Sequence, residues 1–208
     1  MLVLTDRRQA RRYGLVATVA AAVEGGARVV LVREKDLPAE KRVGLVQAFR
    51  ALLDPVDGAV LLAGPDVELA LRSGAAGLHL AAADPWPARG HDLVIGRSCH
   101  TAAELADATE AGADYATLSP VFPSLSKPGY GPALGCEGLE TLVADVPIPV
   151  VALGGITPAT AAACVSAGAA GVAVMGTLMA AEHPGAAVAA LVTSLAPAPE
   201  REAPVGNR

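Results

Sequence analysis

Short apolar runs alternate with longer, alanine-rich stretches that carry spaced charges along almost the whole chain. Within each run the apolar residues continue without polar alternation, which is typical of parallel strands covered on both faces. The runs predict strands over residues 2–5, 28–32, 58–63, 77–80, 93–98, 115–119, 149–153 and 171–175. The stretches between them predict helices over residues 7–24, 38–53, 66–73, 101–111, 137–144, 157–167 and 184–195.

The repeated strand–helix order predicts an α/β fold. Eight such units in about 200 residues favour a closed (β/α)8 TIM barrel, because an open doubly wound sheet usually has roughly five or six strands. Thr101 and Thr157 suit helix N-caps, and Pro158 suits a first helical position. Residues 84–90 contain two prolines and predict a single turn. We expect one domain over residues 1–196 and a disordered tail over residues 197–208.

The composition narrows the class of protein. Hydrophobic residues make up 52% and aromatic residues 3% of the 208 residues, so we expect a core of Ala, Val and Leu. The formal charge of -5 gives no field that would attract a nucleic acid, and we expect no such partner. Cys99, Cys136 and Cys164 are far apart and form no Cys-x-x-Cys pair, which fits reduced thiols and gives no zinc site.

The N-terminal region superficially resembles a signal peptide, because four arginines precede the apolar run of residues 15–23. That run has nine residues, whereas a membrane span needs ~20. Residues 2–5 already predict a strand. We therefore expect a cytoplasmic protein that does not contact a membrane.

Two glycine turns follow the last two predicted strands. Binding and catalytic groups of TIM barrels lie at the C-terminal ends of the strands. Gly154-Gly155 follows the seventh strand and Gly176-Thr177 follows the eighth, so their backbone N–H groups can approach an anion. These two loops form a common phosphate site in such barrels, and we favour a phosphate-bearing ligand over plain tight turns.

Charged residues follow the second and fourth strands. Arg33 and Lys35 suit a pyrophosphate or another anionic leaving group, and a solvated loop is the alternative. Asp84 suits either a magnesium ligand or a helix cap.

A long loop follows the sixth strand over residues 119–131. Ser124, Ser126 and Lys127 suit a flap that donates hydrogen bonds to a phosphate, and a passive surface loop is the alternative. At the end of the fifth strand, Ser98 is expected to face the barrel mouth. The neighbouring His100 suits either proton transfer or a cap for the next helix.

The motifs at the strand ends form an ordered set. They are Val32-Arg33-Glu34-Lys35, Gly77-Leu78-His79-Leu80, Ile95-Gly96-Arg97-Ser98-Cys99-His100, Ser119-Pro120-Val121-Phe122 with Ser126-Lys127, and Val151-Ala152-Leu153-Gly154-Gly155-Ile156. In this order and spacing, over residues 2–181, the chain resembles the thiamine phosphate synthase superfamily, which also contains the TenI-like thiazole tautomerases. Each motif alone is weakly specific, whereas the ordered set is specific.

The resemblance implies a barrel that binds a thiazole phosphate. In the synthases this compound condenses, through a pyrimidine carbocation, with a hydroxymethylpyrimidine pyrophosphate that Mg²⁺ and basic residues hold. Position by position, the resemblance implies that Arg33 and Lys35 bind the pyrophosphate, that Asp84 binds magnesium and that Ser98 contacts both substrates. It also implies that the flap is formed by Ser124, Ser126 and Lys127, and that the thiazole phosphate is bound by Gly154, Gly155, Gly176 and Thr177.

The chain departs from the synthase pattern on the pyrimidine side. Gly64-Pro65 stand where the synthases carry an Asn-Asp pair, so Pro65 replaces the second magnesium carboxylate. Leu31 stands in place of a glutamine, and Ala81-Ala82 stand in place of a Gly-Gln pair. These changes remove one metal ligand and one contact to the pyrimidine.

Arg97 is more similar to the tautomerase branch, which shifts a proton on a carboxythiazole phosphate and needs no metal. The acid–base histidine of that branch falls on Pro120 here, so His100, Cys136 or a flap hydroxyl would carry the proton. We favour a TenI-like thiazole phosphate tautomerase. The alternatives are a thiamine phosphate synthase, with Mg²⁺ as its cofactor, and a non-catalytic regulatory protein that binds a phosphate ligand. A homo-oligomer is compatible with each hypothesis.

Overall fold

The strands and helices follow the order that the sequence predicts. A computed structural model describes residues 1–88, 90–124, 129 and 131–196. The strands are β1 (Leu2–Leu4), β2 (Val29–Val32), β3 (Ala59–Ala63), β4 (Gly77–Leu80), β5 (Val94–Cys99), β6 (Tyr115–Leu118), β7 (Val150–Leu153) and β8 (Gly171–Val174). The helices are α1 (Leu15–Glu24), α2 (Ala39–Leu53), α3 (Val67–Ser73), α4 (Ala102–Glu110), α5 (Gly135–Val143), α6 (Pro158–Ser166), α7 (Gly176–Met179) and α8 (Pro184–Leu195), with a 3₁₀ turn over Asp54–Val56.

The strands close into a parallel barrel in chain order. Each strand pairs with the next, and β1 pairs with β8 through Leu2 with Ala173 and Val3 with Val174. The predicted TIM barrel is therefore confirmed. Because the carboxyl ends of parallel strands lie at the same end of a barrel, the loops that follow the strands meet there.

Alternate strand residues belong to two apolar layers. Val3, Val30 and Val32 pack in the large cluster between the sheet and the helices. Their neighbours Leu4 and Leu31 belong to a smaller cluster inside the barrel. Since successive strand side chains point to opposite faces, inward residues near the strand ends face the barrel mouth.

The predicted caps of two helices are confirmed. The Thr101 hydroxyl accepts a hydrogen bond from Glu104 N–H at 3.2 Å, where α4 begins. Thr157 and Thr160 form a capping box in front of Pro158, the first residue of α6. Both caps satisfy N–H groups that a helix start leaves unpaired.

The first helix is shorter than predicted. It begins at Leu15 instead of residue 7, because residues 7–14 form turns that end at Gly14 with a φ of 77°. The turn expected within residues 84–90 lies earlier, where Asp84 N–H donates to Ala81 O at 2.9 Å. The periodicity also misses α7, which spans only four residues.

The predicted tail at 197–208 lies outside the described residues. Within the described ranges, no helix is long and apolar enough to cross a membrane.

Candidate functional site

A cavity of about 680 Å³ opens at the carboxyl ends of the strands. Most of the predicted site residues line it: Arg33, Lys35, Ser98, His100, Ser124, Gly154, Gly155, Gly176 and Thr177. The predicted flap residues Ser126 and Lys127 lie outside the described residues. The fold therefore brings together polar groups that follow strands far apart in the sequence.

The glycine edge of this cavity, formed by Gly154, Gly155, Gly176 and Thr177, presents backbone N–H groups. Gly154 and Gly155 have φ values of 101° and 63°, which favour glycine. Among the described residues, neither of their N–H groups donates a hydrogen bond. The same holds for Gly176 and Thr177 at the start of α7. The edge thus offers unpaired donors to an anion.

Gly155 also lets two loops approach closely. A Cβ at this position would lie 2.5 Å from Pro123 O and 2.7 Å from Phe122 Cβ. Phe122 N–H donates to Gly154 O at 3.0 Å, which joins the loop after β6 to the turn after β7. The tight turn and the exposed donors are therefore two consequences of the same glycines.

The cation edge, formed by Arg33, Lys35 and Asp84, lies on the β2 and β4 side. Arg33 N–H donates to the buried Thr5 hydroxyl at 3.0 Å, and its guanidinium Nη1 lies 2.6 Å from Met175 Sδ. Lys35 Nζ pairs with Asp84 Oδ2 at 2.7 Å. In the described part of the chain, no carboxylate pairs with Arg33. Its charge is therefore available to an anion.

A second ionic cluster joins the loops after β1 and β2. The carboxylate of the buried Glu34 accepts two hydrogen bonds from Arg7, one from the backbone N–H at 3.0 Å and one from the guanidinium at 2.8 Å. Arg7 also binds both carboxylate oxygens of Asp36 at 2.7 Å. Hydrogen bonds to Arg7 hold the pKa of Asp36 well below its usual range. Sequence analysis assigns no role to Arg7, whose partners lie 27 and 29 residues away.

His79 lies on the floor of the cavity and was also missed as a site residue. Its Nδ1 is 2.8 Å from the Tyr115 hydroxyl, and its Nε2 is 2.9 Å from Ser98 Oγ. Burial, and then the charges of Lys35 and Arg33, lower the pKa of His79 to about 4. A neutral imidazole offers one donor and one acceptor, so it links both hydroxyls in one chain of hydrogen bonds. The alternation in Leu78-His79-Leu80 was the available signal, since it turns His79 inward.

Gly96, which has no side chain, leaves space for the tyrosine of this hydrogen-bonded chain. A Cβ at Gly96 would lie 2.1 Å from the Tyr115 ring. Burial raises the pKa of Tyr115, which keeps its hydroxyl protonated. The sequence motif around Ser98 therefore contains a glycine that admits the tyrosine of the next strand.

Arg97 points away from the cavity. Its guanidinium donates to Asp84 O at 2.7 Å and to Ala82 O at 2.5 Å. It also lies over the Trp86 ring, 5.0 Å from the centroid. Arg97 thus braces the loop that carries Asp84.

His100 lies at the cavity and at the start of α4. Its N–H donates to Glu104 Oε2 at 2.5 Å, and its Nδ1 lies 3.1 Å from the same oxygen. Glu104 lies in the first turn of α4, so both contacts tie His100 to the start of this helix, whereas the N-cap is Thr101. Cys99 is buried, and burial raises its pKa to about 11, so it is an unreactive thiol. Cys136 lies on α5 and does not line the cavity.

Comparison with known proteins identifies the family. The family model described as thiamine monophosphate synthase matches residues 1–178. The chain belongs to this family. It is 41% identical over 202 residues to a putative thiamine-phosphate synthase of Geobacter sulfurreducens, covering 95% of this chain and 94% of that protein. It is 38% identical over 210 residues to a thiamine-phosphate synthase of a Roseiflexus species, covering 98% and 88%.

A solved structure is similar to this chain in sequence and in fold. The thiamine phosphate pyrophosphorylase from Pyrococcus furiosus is 31% identical, superimposes with a TM-score of 0.80 and covers 93% of this chain and 94% of that one. The thiamine monophosphate synthase family is therefore shown by sequence and by fold.

The residues of the cation edge do not form the magnesium site that the family resemblance implies. Asp84 Oδ2 is already bound by Lys35 Nζ at 2.7 Å and by Ala81 N–H at 2.9 Å. The position of the second carboxylate is Pro65, which has no side-chain oxygen. Among the described residues, no group of three or more His, Cys, Asp or Glu side chains is placed to hold a metal ion. The donor set therefore does not fit a resident divalent ion.

Proposed function

We propose that this protein is a thiamine phosphate synthase, which joins a hydroxymethylpyrimidine pyrophosphate to a thiazole phosphate. The observation that carries the proposal is a single cavity with two anion-binding edges. The glycine edge suits the phosphate of the thiazole, and Arg33 and Lys35 of the cation edge suit a pyrophosphate. The names of the relatives support the same reaction.

The condensation exchanges one bond for another at the methylene carbon of the pyrimidine. The C–O bond to the pyrophosphate breaks, and the pyrophosphate leaves with the electron pair. The lone pair of the thiazole nitrogen then forms the new C–N bond, which gives a thiazolium product. No proton has to move in this exchange of bonds.

The cation edge stabilises the charge that this reaction develops. Negative charge grows on the leaving pyrophosphate as the C–O bond breaks, and Arg33 and Lys35, which both line the cavity, supply the opposite charge. Fixed charges that meet a developing charge lower a reaction barrier, especially where water is excluded. Leu4 and Leu31, which belong to the apolar cluster inside the barrel, line part of the same cavity.

The tautomerase hypothesis receives no specific support. Arg97, the residue that favoured it, braces the loop after β4 and does not line the cavity. A tautomerase also needs a group that takes up and returns a proton. His79 has both ring nitrogens engaged and a pKa lowered to about 4, so it is a poor base near neutral pH.

The test is product formation by the purified protein. The two substrates are incubated with the enzyme, and thiamine phosphate is separated by chromatography. A parallel sample receives a carboxythiazole phosphate tautomer, whose isomerisation is followed in the same way. Condensation without isomerisation is the expected result. Isomerisation without condensation, beside an active control synthase, would overturn the proposal.

A further inference from the structure

An ion pair occupies the part of the barrel mouth where the synthase motif places a metal ion. We propose that Lys35, held by Asp84, is the resident cation for the donor pyrophosphate and takes the place of a divalent metal ion. This inference rests on the proposed function for the identity of the pyrophosphate ester. The ion pair itself is seen directly, with Lys35 Nζ 2.7 Å from Asp84 Oδ2.

Asp84 is committed to protein partners. Its Oδ2 accepts hydrogen bonds from Lys35 Nζ at 2.7 Å and from Ala81 N–H at 2.9 Å. These two bonds keep Lys35 beside the carboxylate. A divalent ion would have to displace the ammonium group and would gain one protein carboxylate, since Pro65 has no side-chain oxygen.

Lys35 retains donors for a ligand. An ammonium group has three N–H donors, and Asp84 accepts one of them. The side chain of Lys35 is 45% exposed and lines the cavity, so the remaining donors can reach phosphate oxygens. Arg33 lines the same wall and carries a second positive charge.

The residues around the pair favour this arrangement. A Cβ at Gly64 would lie 3.8 Å from Lys35 Cε, which is an ordinary van der Waals contact, so Gly64 borders the lysine stem. On the other side, Arg97 binds the carbonyl oxygens of Ala82 and Asp84. The loop that carries Asp84 is thereby braced against the sheet, and Asp84 acts as a positioning residue for Lys35.

The first test is the binding of inorganic pyrophosphate, measured by calorimetry in EDTA and again in Mg²⁺. Thiazole phosphate is added to fill the glycine edge. We expect binding in EDTA, with an affinity that Mg²⁺ changes by less than about threefold. Lys35→Ala should weaken binding at least about tenfold, whereas Lys41→Ala, on the exposed face of α2, should leave it unchanged. Binding that appears only with Mg²⁺, or that survives in Lys35→Ala, would overturn the inference.

The second test separates charge from structure. Lys35→Arg keeps the positive charge and should retain binding in EDTA within about threefold of the wild type. Its thermal midpoint is measured beside that of Lys35→Ala, so that a folding defect is recognised. If Lys35→Arg binds as poorly as Lys35→Ala while both are folded, the cation is not the feature that binds pyrophosphate.

The third test adds a side chain that can bind a metal ion. Pro65→Asp restores the second carboxylate of the synthase motif, and we expect it to give pyrophosphate binding a Mg²⁺ dependence that the wild type lacks. A wild type that responds to Mg²⁺ as strongly as this variant would contradict the inference. Pyrophosphate binding requires no turnover. An absence of thiamine phosphate with intact binding in EDTA would therefore reject the proposed function and leave the ion-pair site standing.

Discussion

The glycine edge and the cation edge of the barrel mouth use different parts of the protein to bind a ligand. At the glycine edge the binding groups belong to the backbone, and their positions follow from positive φ values at Gly154 and Gly155. At the cation edge the binding groups are long side chains, and Lys35 is held by Asp84, 49 residues away. A backbone site depends on its own turn, whereas a side-chain site changes when a partner on another strand changes. The glycine edge keeps every residue that the family resemblance implies, whereas beside the cation edge Pro65 stands where that resemblance implies a carboxylate.

The largest effect is expected from removing the free cation of the cation edge. Arg33→Ala should lower the turnover rate of thiamine phosphate formation by at least about 100-fold, because loss of one preorganised donor commonly costs this much. The initial rate measures it. Arg72→Ala is the matched control, since Arg72 pairs with Glu40 on the surface. Unchanged turnover in Arg33→Ala would remove this residue from the reaction.

A second prediction concerns His79, which lies beneath the cation edge. Its pKa of about 4 in the folded protein is below the ordinary value near 6.5, so the unfolded chain binds the proton more readily. The stabilisation by neutral His79 is therefore present above pH 6.5 and is lost as the pH falls towards 4. Urea unfolding should show a loss of about 2 kcal/mol between pH 7.5 and pH 5.

A variant of His79 provides the control for this pH dependence. His79→Gln should be less stable at pH 7.5 and should show a smaller change between the two pH values. Arg33→Ala should raise the pKa of His79, because the Arg33 charge contributes to lowering it. An equal pH dependence in wild type and His79→Gln would show that other groups cause it.

An effect on ligand binding that is smaller than the loss of turnover in Arg33→Ala is expected at the glycine edge, where a single methyl group is added. Gly155→Ala places a Cβ 2.5 Å from Pro123 O at a φ of 63°, so the turn must shift. We expect thiazole phosphate affinity to fall about tenfold and stability to fall by about 1–3 kcal/mol. Gly171→Ala is the control, since no atom lies within 4 Å of its Cβ. Calorimetry that shows equal affinity for both variants would argue against a phosphate site at this edge.

The sequence predicts the architecture well because each buried strand is a continuous apolar run that can be recognised on its own. β4 and α8 agree with the prediction at both ends, over Gly77–Leu80 and Pro184–Leu195. The prediction of a helix over residues 7–14 is wrong, because contacts with other loops hold this segment in turns. There Arg7 turns towards the buried Glu34 of another loop.

The candidate site is predicted only where a residue's role depends on its own position. The glycine turns and the inward direction of Ser98 follow from strand ends and alternation. The roles of Lys35 and Asp84 depend on each other, and spacing along the chain does not show that they pair. Arg97 illustrates the same limit: its motif resembles the tautomerase branch, while its position on the outward face of β5 decides what it contacts.

The most direct test of this account is the initial rate of thiamine phosphate formation, measured with the same enzyme preparation in excess EDTA and in Mg²⁺. The account predicts turnover in both, with rates that differ by less than about threefold, because Arg33 and Lys35 supply the charge that the leaving pyrophosphate requires. Turnover that is abolished by EDTA and restored by Mg²⁺ would contradict it.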